Sequence, residues 1–366
     1  MLHCHHQQLA YANGAPSLVA GIKKSPQDFQ VDEQLSFELE DEGTHDYLLI
    51  RKQQLNTEDV VSRLSKHAQV KSVAIGYAGL KDKNAMTSQW FSVNLAGKKQ
   101  PDWQTLNNEY LQVVEVRQHT RKLKRGAIKY NRFQLRLSDL VGDRDHLEQR
   151  LTIIQQQGIP NYFGEQRFGR SDANLKKVAK LFAGEITVKN HHQRGLYLSA
   201  ARSFLFNQVL SQRVTDGTWN NVLAGEACIL DGSNSYFVAT DSATTTPIAQ
   251  HSIETGLQPE RQTNPETTAQ RLAQWDIHPS GPLWGAGELP TLGVVNVLES
   301  QVVSAFDTLC DGLARAGLKQ QRRALRVQVQ ALQWEMVGND VLLAFNLVSG
   351  CYATSVLREI VRDAGA

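Results

Sequence analysis

The chain has 366 residues, 41% apolar and 21% charged, enough for a full core and for two domains, since single cores seldom grow past about 250–300 residues. That balance excludes extensive disorder. No apolar run approaches the roughly 20 residues of a membrane helix, Met1 to His6 shows no secretory pattern, and Cys4, Cys228, Cys310 and Cys351 read as reduced cytoplasmic thiols.

Net charge is only +2, but residues 117–136 hold eight Lys/Arg and no Asp or Glu, which leaves the rest of the chain at −6. A local cationic patch on a slightly acidic body is what selective phosphate contact requires.

From Gly21 to Glu33, Pro26 biases Ser25 to an extended conformation, and Phe29 and Val31 alternate with polar residues. Tyr47 to Lys52 reads as a strand. Asn56 or Thr57 can cap a helix with Val60, Val61, Leu64 and Ala68 on one face. Val70 to Ile75 and Trp90 to Leu95 read as strands, the second with one covered face, flanking Gly76-Tyr77-Ala78-Gly79-Leu80-Lys81-Asp82-Lys83-Asn84. Lys98 to Asn108 is expected as a polar surface loop and Tyr110 to Val116 as a strand. In the basic run, Phe133, Leu135 and Leu137 alternate with Arg132, Gln134 and Arg136, so one face packs while the other offers guanidiniums.

Asp143 or Asp145 can cap a helix through Leu147, Leu151 and Ile154 that stops at Gly158. Asn161 to Gly169 is a Gly- and aromatic-rich connection. Ser171 is expected to cap a helix reaching Phe182, and Ser199 to Val214 forms another. Ala227–Leu230 and Tyr236–Ala239 predict a hairpin, Ala243–Pro265 an irregular surface, and Pro279–Gly285 a turn-dense connection. Leu298 to Leu313 predicts one long helix. Leu325, Val327 and Val329 predict a strand, with a turn at Val337–Asp340, a partner strand over Val341–Leu347 and a last helix over Tyr352–Asp363.

The chemistry centres on Asp82, a carboxylate between Lys81 and Lys83. Asp and Asn are common in turns for local reasons, but cationic neighbours would keep this acid ionised, as a nucleophile requires. No P-loop, dinucleotide-binding glycine pattern, Cys-x-x-Cys or His-Glu-x-x-His occurs. His3-Cys4-His5-His6 lacks a second ligand pair, so neither metal nor other cofactor is expected.

Ala78-Gly79-Leu80-Lys81-Asp82-Lys83-Asn84-Ala85-Met86-Thr87 resembles the signature of the TruD family of tRNA pseudouridine synthases, in which the catalytic aspartate follows Gly-Leu-Lys. Further blocks, at 21–33, 129–137, 160–169 and 344–360, follow in family order. The resemblance implies an α/β (α+β) fold. Its catalytic domain, 1–158 plus 305–366, would carry a mixed, largely antiparallel sheet and be interrupted by an inserted α/β domain at 159–304.

The resemblance also implies isomerisation of uridine 13 in the D arm of tRNA. Asp82 would act on the ribose or on the base, with Lys23 as its salt-bridge partner. Phe29 and Tyr352 would hold the base, and Asn131 and Phe133 would lie at the cleft. Tyr352, as a phenol, could also take up the carbon-bound proton. Val348 replaces the proline usual in the last block, which is expected to loosen that loop. Arg121, Lys122, Lys124, Arg125, Lys129 and Arg132 are the expected RNA contacts; no membrane or protein partner is expected. Two alternatives share the same motifs: an RNA-binding protein without chemistry, and a synthase acting on another RNA.

Overall fold

The computed structural model describes residues 9–95, 97–240 and 267–365. In chain order its first elements are β1 (Val19–Ile22), β2 (Phe29–Leu35), β3 (His45–Lys52), α1 (Thr57–His67), β4 (Ile75–Tyr77), β5 (Met86–Asn94), β6 (Leu111–His119), β7 (Ile128–Val141) and α2 (Arg144–Gln157). Then come β8 (Ile159–Pro160), α3 (Ala173–Phe182), α4 (His191–Thr215), β9 (Ala227–Leu230), β10 (Tyr236–Val238), α5 (Thr268–Ala273) and β11 (Ile277–Leu283). The last are α6 (Gly293–Ser304), α7 (Asp307–Arg315), β12 (Gln321–Ala324), β13 (Arg326–Val327), β14 (Gln330–Val337), β15 (Asp340–Leu347), α8 (Ala353–Arg358) and β16 (Arg362–Asp363).

Two compact units share these elements. One comprises residues 16–151, 329–353 and 360–366; the other comprises 1–15, 152–328 and 354–359. No helix among the described residues is long and apolar enough to cross a membrane.

The first unit is built on a ten-stranded sheet in the order β14-β15-β7-β2-β5-β3-β6, with β1 pairing β7 and β16, and β4 pairing β5. Only the β2–β5 and β1–β16 pairings are parallel, so the expected mixed, largely antiparallel sheet is what forms. Alternation decides its layers. Phe133, Leu135 and Leu137 of β7 are buried while Arg132, Gln134 and Arg136 are exposed. Helix α1 covers part of the same face, where Leu48, Ile50, Val60, Leu64, Phe91 and Val113 share one core. The second unit holds a four-stranded sheet, β10-β9-β11-β12, and the β8–β13 pair. Its long helix α4 packs on β11. Gly281 permits that approach, because a Cβ there would lie 2.8 Å from Leu325 and 3.1 Å from Phe206.

Several expectations are corrected. The strand sought at Val70–Ile75 begins only at Ile75, after a 3-10 turn over Ser72–Ala74. Strand β5 is covered on both faces rather than one, because Trp90 joins Tyr47 and Leu35 in a second cluster opposite α1. The loop 98–108 is not wholly superficial: Trp103 is 3% exposed and its indole N–H donates to Asp46 at 2.7 Å. Ser171 lies at φ +52° and does not cap α3; Asp172 holds that position. Helix α4 starts eight residues before Ser199, at His191, where the Asn190 side chain accepts from the Gln193 N–H.

Pro279–Gly285 is largely strand rather than turn. Strand β11 changes partner from β9 to β12 between Pro279 and Ser280, a place where a missing N–H is tolerated. The helix expected over Leu298–Leu313 breaks at Phe306, which leaves helical geometry and sets its ring edge-on against Phe204 at 4.9 Å. The strand expected over Leu325–Val329 is interrupted, because Leu325 turns to bond Pro279 and Asn161 between β12 and β13. The terminal helix is only Ala353–Arg358, and Arg362–Asp363 pair with β1. The expectation for Ala243–Pro265 lies outside the described residues.

Candidate active site

The β4–β5 loop carries Asp82, and side chains from its neighbours fix it. Gln89 of β5 donates to the Gly79 carbonyl at 2.6 Å and accepts from the Thr57 hydroxyl at 3.1 Å. That hydroxyl in turn accepts from the Lys81 N–H at 3.0 Å. At the base of the loop, the Ala78 carbonyl accepts from the Gly126 N–H at 2.8 Å. Gly76 is required there, since a Cβ would meet the Leu123 carbonyl oxygen at 2.4 Å.

The Lys23 ammonium donates to one oxygen of Asp82, and the Asn84 N–H donates to the other at 3.0 Å. The two side chains remain 22% and 24% exposed, so the pair is open to a ligand on one side. Lys23 sits at φ +58°, a left-handed conformation uncommon for lysine and a mark of local strain, just after β1. Burial opposes the ionised form of Asp82, but the Lys23 hydrogen bond, the Asn84 N–H and the charges of Lys23 and Lys52 outweigh it. The carboxyl is held below its ordinary range. A surface recess of about 540 Å³ is lined by Lys23, Lys24, Pro26, Gln54, Lys83 and Asn84.

The flanking lysines do not act as their positions in the chain suggest. Lys81 turns inward to pair with Glu33, whose other oxygen accepts from the Trp90 N–H at 3.0 Å. Lys83 is exposed. The second cation acting on Asp82 is Lys52, a residue that inspection of the loop alone misses. It is 1% exposed and donates to the Leu55 carbonyl at 2.8 Å and the Asp82 carbonyl at 3.2 Å. The signal was present, because Lys52 shares its strand face with Leu48 and Ile50, a charge at a core position.

Phe29 follows the Pro26–Asp28 turn, which the Ser25–Asp28 capping box fixes. Its ring lies 4.8 Å from the Lys23 ammonium and edge-on to Phe133 at 6.2 Å; Phe133 stacks on Phe345 at 5.3 Å. Asn131 is 9% exposed, and its side-chain oxygen is buried without a hydrogen-bond partner. Register places Asn131 opposite Glu33, and Phe133 opposite Val31 and Phe345, so these residues share a sheet face. Lys23, Phe29, Asp82, Asn131 and Phe133 are thus gathered on one side of the sheet.

Tyr352 is half-buried beyond the turn that leaves β15 at Leu347, the partner of Asn131. That turn is closed by the Cys351 N–H on the Val348 carbonyl at 3.3 Å, with Gly350 at φ +85°. Val348 occupies its first position, which demands no fixed φ.

The basic residues divide. Arg121, Lys122, Lys124 and Arg125 lie exposed on the β6–β7 loop, packed against the root of the Asp82 loop. Lys122 donates to the Val73 carbonyl at 2.6 Å, and Arg125 donates to the Tyr77 hydroxyl at 2.7 Å and covers its ring. Lys129 is exposed where the β2–β7 register shifts. Arg132 pairs opposite Asp32 and Asn346, on the sheet face away from Phe133.

A family model described as tRNA pseudouridine synthase D (TruD) matches residues 6–190 and 182–360. The chain is 45% identical over 359 residues to the tRNA pseudouridine synthase D of Nitrosococcus oceani, covering 97% of this chain and 94% of that one. It is 40% identical over 356 residues to that of Aeromonas hydrophila, again covering 97% and 94%. The crystal structure of a Methanosarcina mazei protein classed as tRNA pseudouridine synthase D matches with a TM-score of 0.67 at 18% identity, over 96% of this chain and 95% of that one. At that identity the likeness is one of fold.

Proposed function

The chain belongs to the tRNA pseudouridine synthase D (TruD) family, and from that membership we propose that it isomerises uridine 13 in the D arm of tRNA to pseudouridine in the cytoplasm. The observation that carries the reading is Asp82, an ionised carboxylate set between cations and half open to solvent beside buried aromatic rings. In the reaction the N1–C1′ bond of uridine breaks, the uracil turns while bound, C5 joins C1′ and the C5 proton leaves. Atoms and electrons balance without an external reagent. Asp82 acts either on the ribose or on the base, and each route needs its deprotonated form.

Taking the uridine out of its stack costs a few kcal/mol, and aromatic faces return about 1–3 kcal/mol per base. Phe29, Phe133 and Tyr352 fill that role in this reading. The unpartnered Asn131 oxygen is the polar group available to the uracil. Arg121, Lys122, Lys124, Arg125 and Lys129 hold tRNA phosphates. Arg132 would meet a different part of the RNA from the target base, because it lies on the other sheet face. We also keep 159–304 as the proposed inserted domain, a statement of kinship; compactness groups 152–328 together.

The test is tritium release from C5-labelled uridine in tRNA by the wild type and by Asp82→Asn. Release by the wild type alone is expected. Background release from both would leave an RNA-binding protein without chemistry. Pseudouridine lost from some other RNA in a deletion strain would move the activity to a different substrate.

A further inference from the structure

Lys52 is a charged side chain where the strand pattern calls for an apolar one. Its ammonium is 1% exposed, and its hydrogen bonds go to two neutral carbonyls, those of Leu55 and Asp82. A purely structural tie between β3 and the loop needs donors, not charge, and burying a charge without a contacting carboxylate costs stability. What the charge adds is a positive potential at Asp82.

The surrounding groups direct that potential. Asp82 and Lys81 face Lys52 from the β4–β5 loop, Asp59 from α1 and Glu33 from β2. Glu33 is already bound to Lys81, and Asp59 accepts from the Asn56 N–H at 2.8 Å at the start of α1. Asp82 is the acid that Lys52 attracts most strongly, and Lys52 in turn helps to depress the Asp82 carboxyl.

We propose that Lys52 is a positioning residue for the isomerisation: from the buried side its ammonium anchors the Asp82 backbone and holds the carboxylate ionised, while Lys23 does so from the exposed side. The inference rests on the isomerase reading above. Burial, acting against the attraction of Asp82, draws the Lys52 ammonium down to about 8. Its charge is therefore present at neutral pH and lost on the alkaline side, so turnover falls as pH rises through that value.

The experiment is the pH profile of kcat/KM on a tRNA substrate for the wild type, Lys52→Arg and Lys52→Met. The wild type is expected to show a falling limb near pH 8. Lys52→Arg, whose charge does not titrate there, should lose that limb and keep neutral-pH turnover within about tenfold. Lys52→Met should lose about tenfold or more in kcat with KM little changed, and its acid limb should move to higher pH, since each pKa unit is a tenfold change in proton affinity. An alkaline limb unchanged in Lys52→Arg, or wild-type kcat and acid limb in Lys52→Met, would overturn the proposal.

Direct NMR titration of the Lys52 side chain in the intact wild-type protein needs no turnover and no variant. Titration near 8 supports the proposal, and titration at the ordinary lysine value overturns it. A wild type inactive on every tRNA would instead overturn the isomerase reading, so the two failures are distinct.

Discussion

In the unit that contains residues 152–328, Arg322 and Glu299 form an ion pair in which each side chain is 1% exposed, and Arg213 with Glu226 forms another at 1% and 0%. In the sheet unit, Lys23 and Asp82 keep 22% and 24% of their surface in solvent. The closed pairs are saturated: Glu299 takes two hydrogen bonds from Arg322 and one from the Thr291 hydroxyl. The open pair has an excess of cation, because Lys52 lies behind it without a contacting carboxylate. Buried charge therefore does not by itself mark a site. A carboxylate that is partly open and surrounded by surplus positive charge does, because it stays ionised and can still be reached.

The contrast can be broken most forcefully on its structural side. Glu299→Gln leaves Arg322 buried without its counter-charge and is expected to cost about 3–5 kcal/mol of stability in urea unfolding, with turnover of the folded fraction unchanged. A loss below about 1 kcal/mol would put this pair in the class of surface ion pairs.

Lys23→Met tests the open pair. Turnover is expected to fall about 100-fold, the scale of general acid–base and electrostatic assistance. The sign of the pH effect follows from the balance at Asp82. In the wild type its depressed pKa keeps it ionised across the neutral range; without Lys23, burial pushes the pKa up. Activity of the variant should then fall as pH drops through a higher value than in the wild type. An acid limb unmoved in kcat profiles from pH 4 to 8 would show that Lys23 does not hold the proton off.

Tyr352→Ala should lower kcat about tenfold, within the roughly 1–3 kcal/mol that a stacked ring supplies, with tRNA Kd little changed. Equal losses in both would mark the ring as structural. The smallest effect is expected from replacing Arg121, Lys122, Lys124 and Arg125 together by Gln. Affinity should weaken, and the slope of log Kd against log salt should flatten by about two rather than four, because Lys122 and Arg125 already serve Val73 and Tyr77. An unchanged slope would show that the loop faces away from RNA.

Local pattern made much of the fold legible. The alternation in β7, the apolar face of α1, the stop of α2 at Gly158 and the β9–β10 hairpin are all short-range features that one strand or one helix turn can express. The misreadings share a cause. Pro279 and Pro282 read as turn residues, yet β11 forms because β9 and β12 flank it. Phe306 reads as mid-helix, yet the ring of Phe204 turns it out of the helix. In each case a distant partner overrides a local preference.

The candidate site divides along the same line. By itself the sequence determined that one aspartate sits in a strand-flanked loop, that Lys23, Phe29, Asn131 and Phe133 belong to motifs resembling one family, and that β7 turns its arginines away from its rings. Only the tertiary structure decided that Lys81 serves Glu33 rather than Asp82, that Lys52 lies behind the loop, and that Arg132 lies on the sheet face away from Phe133. Alternation within a strand is a property of adjacent residues. Register between strands, and the electric field at a carboxylate, are sums over residues brought together from dozens of positions apart.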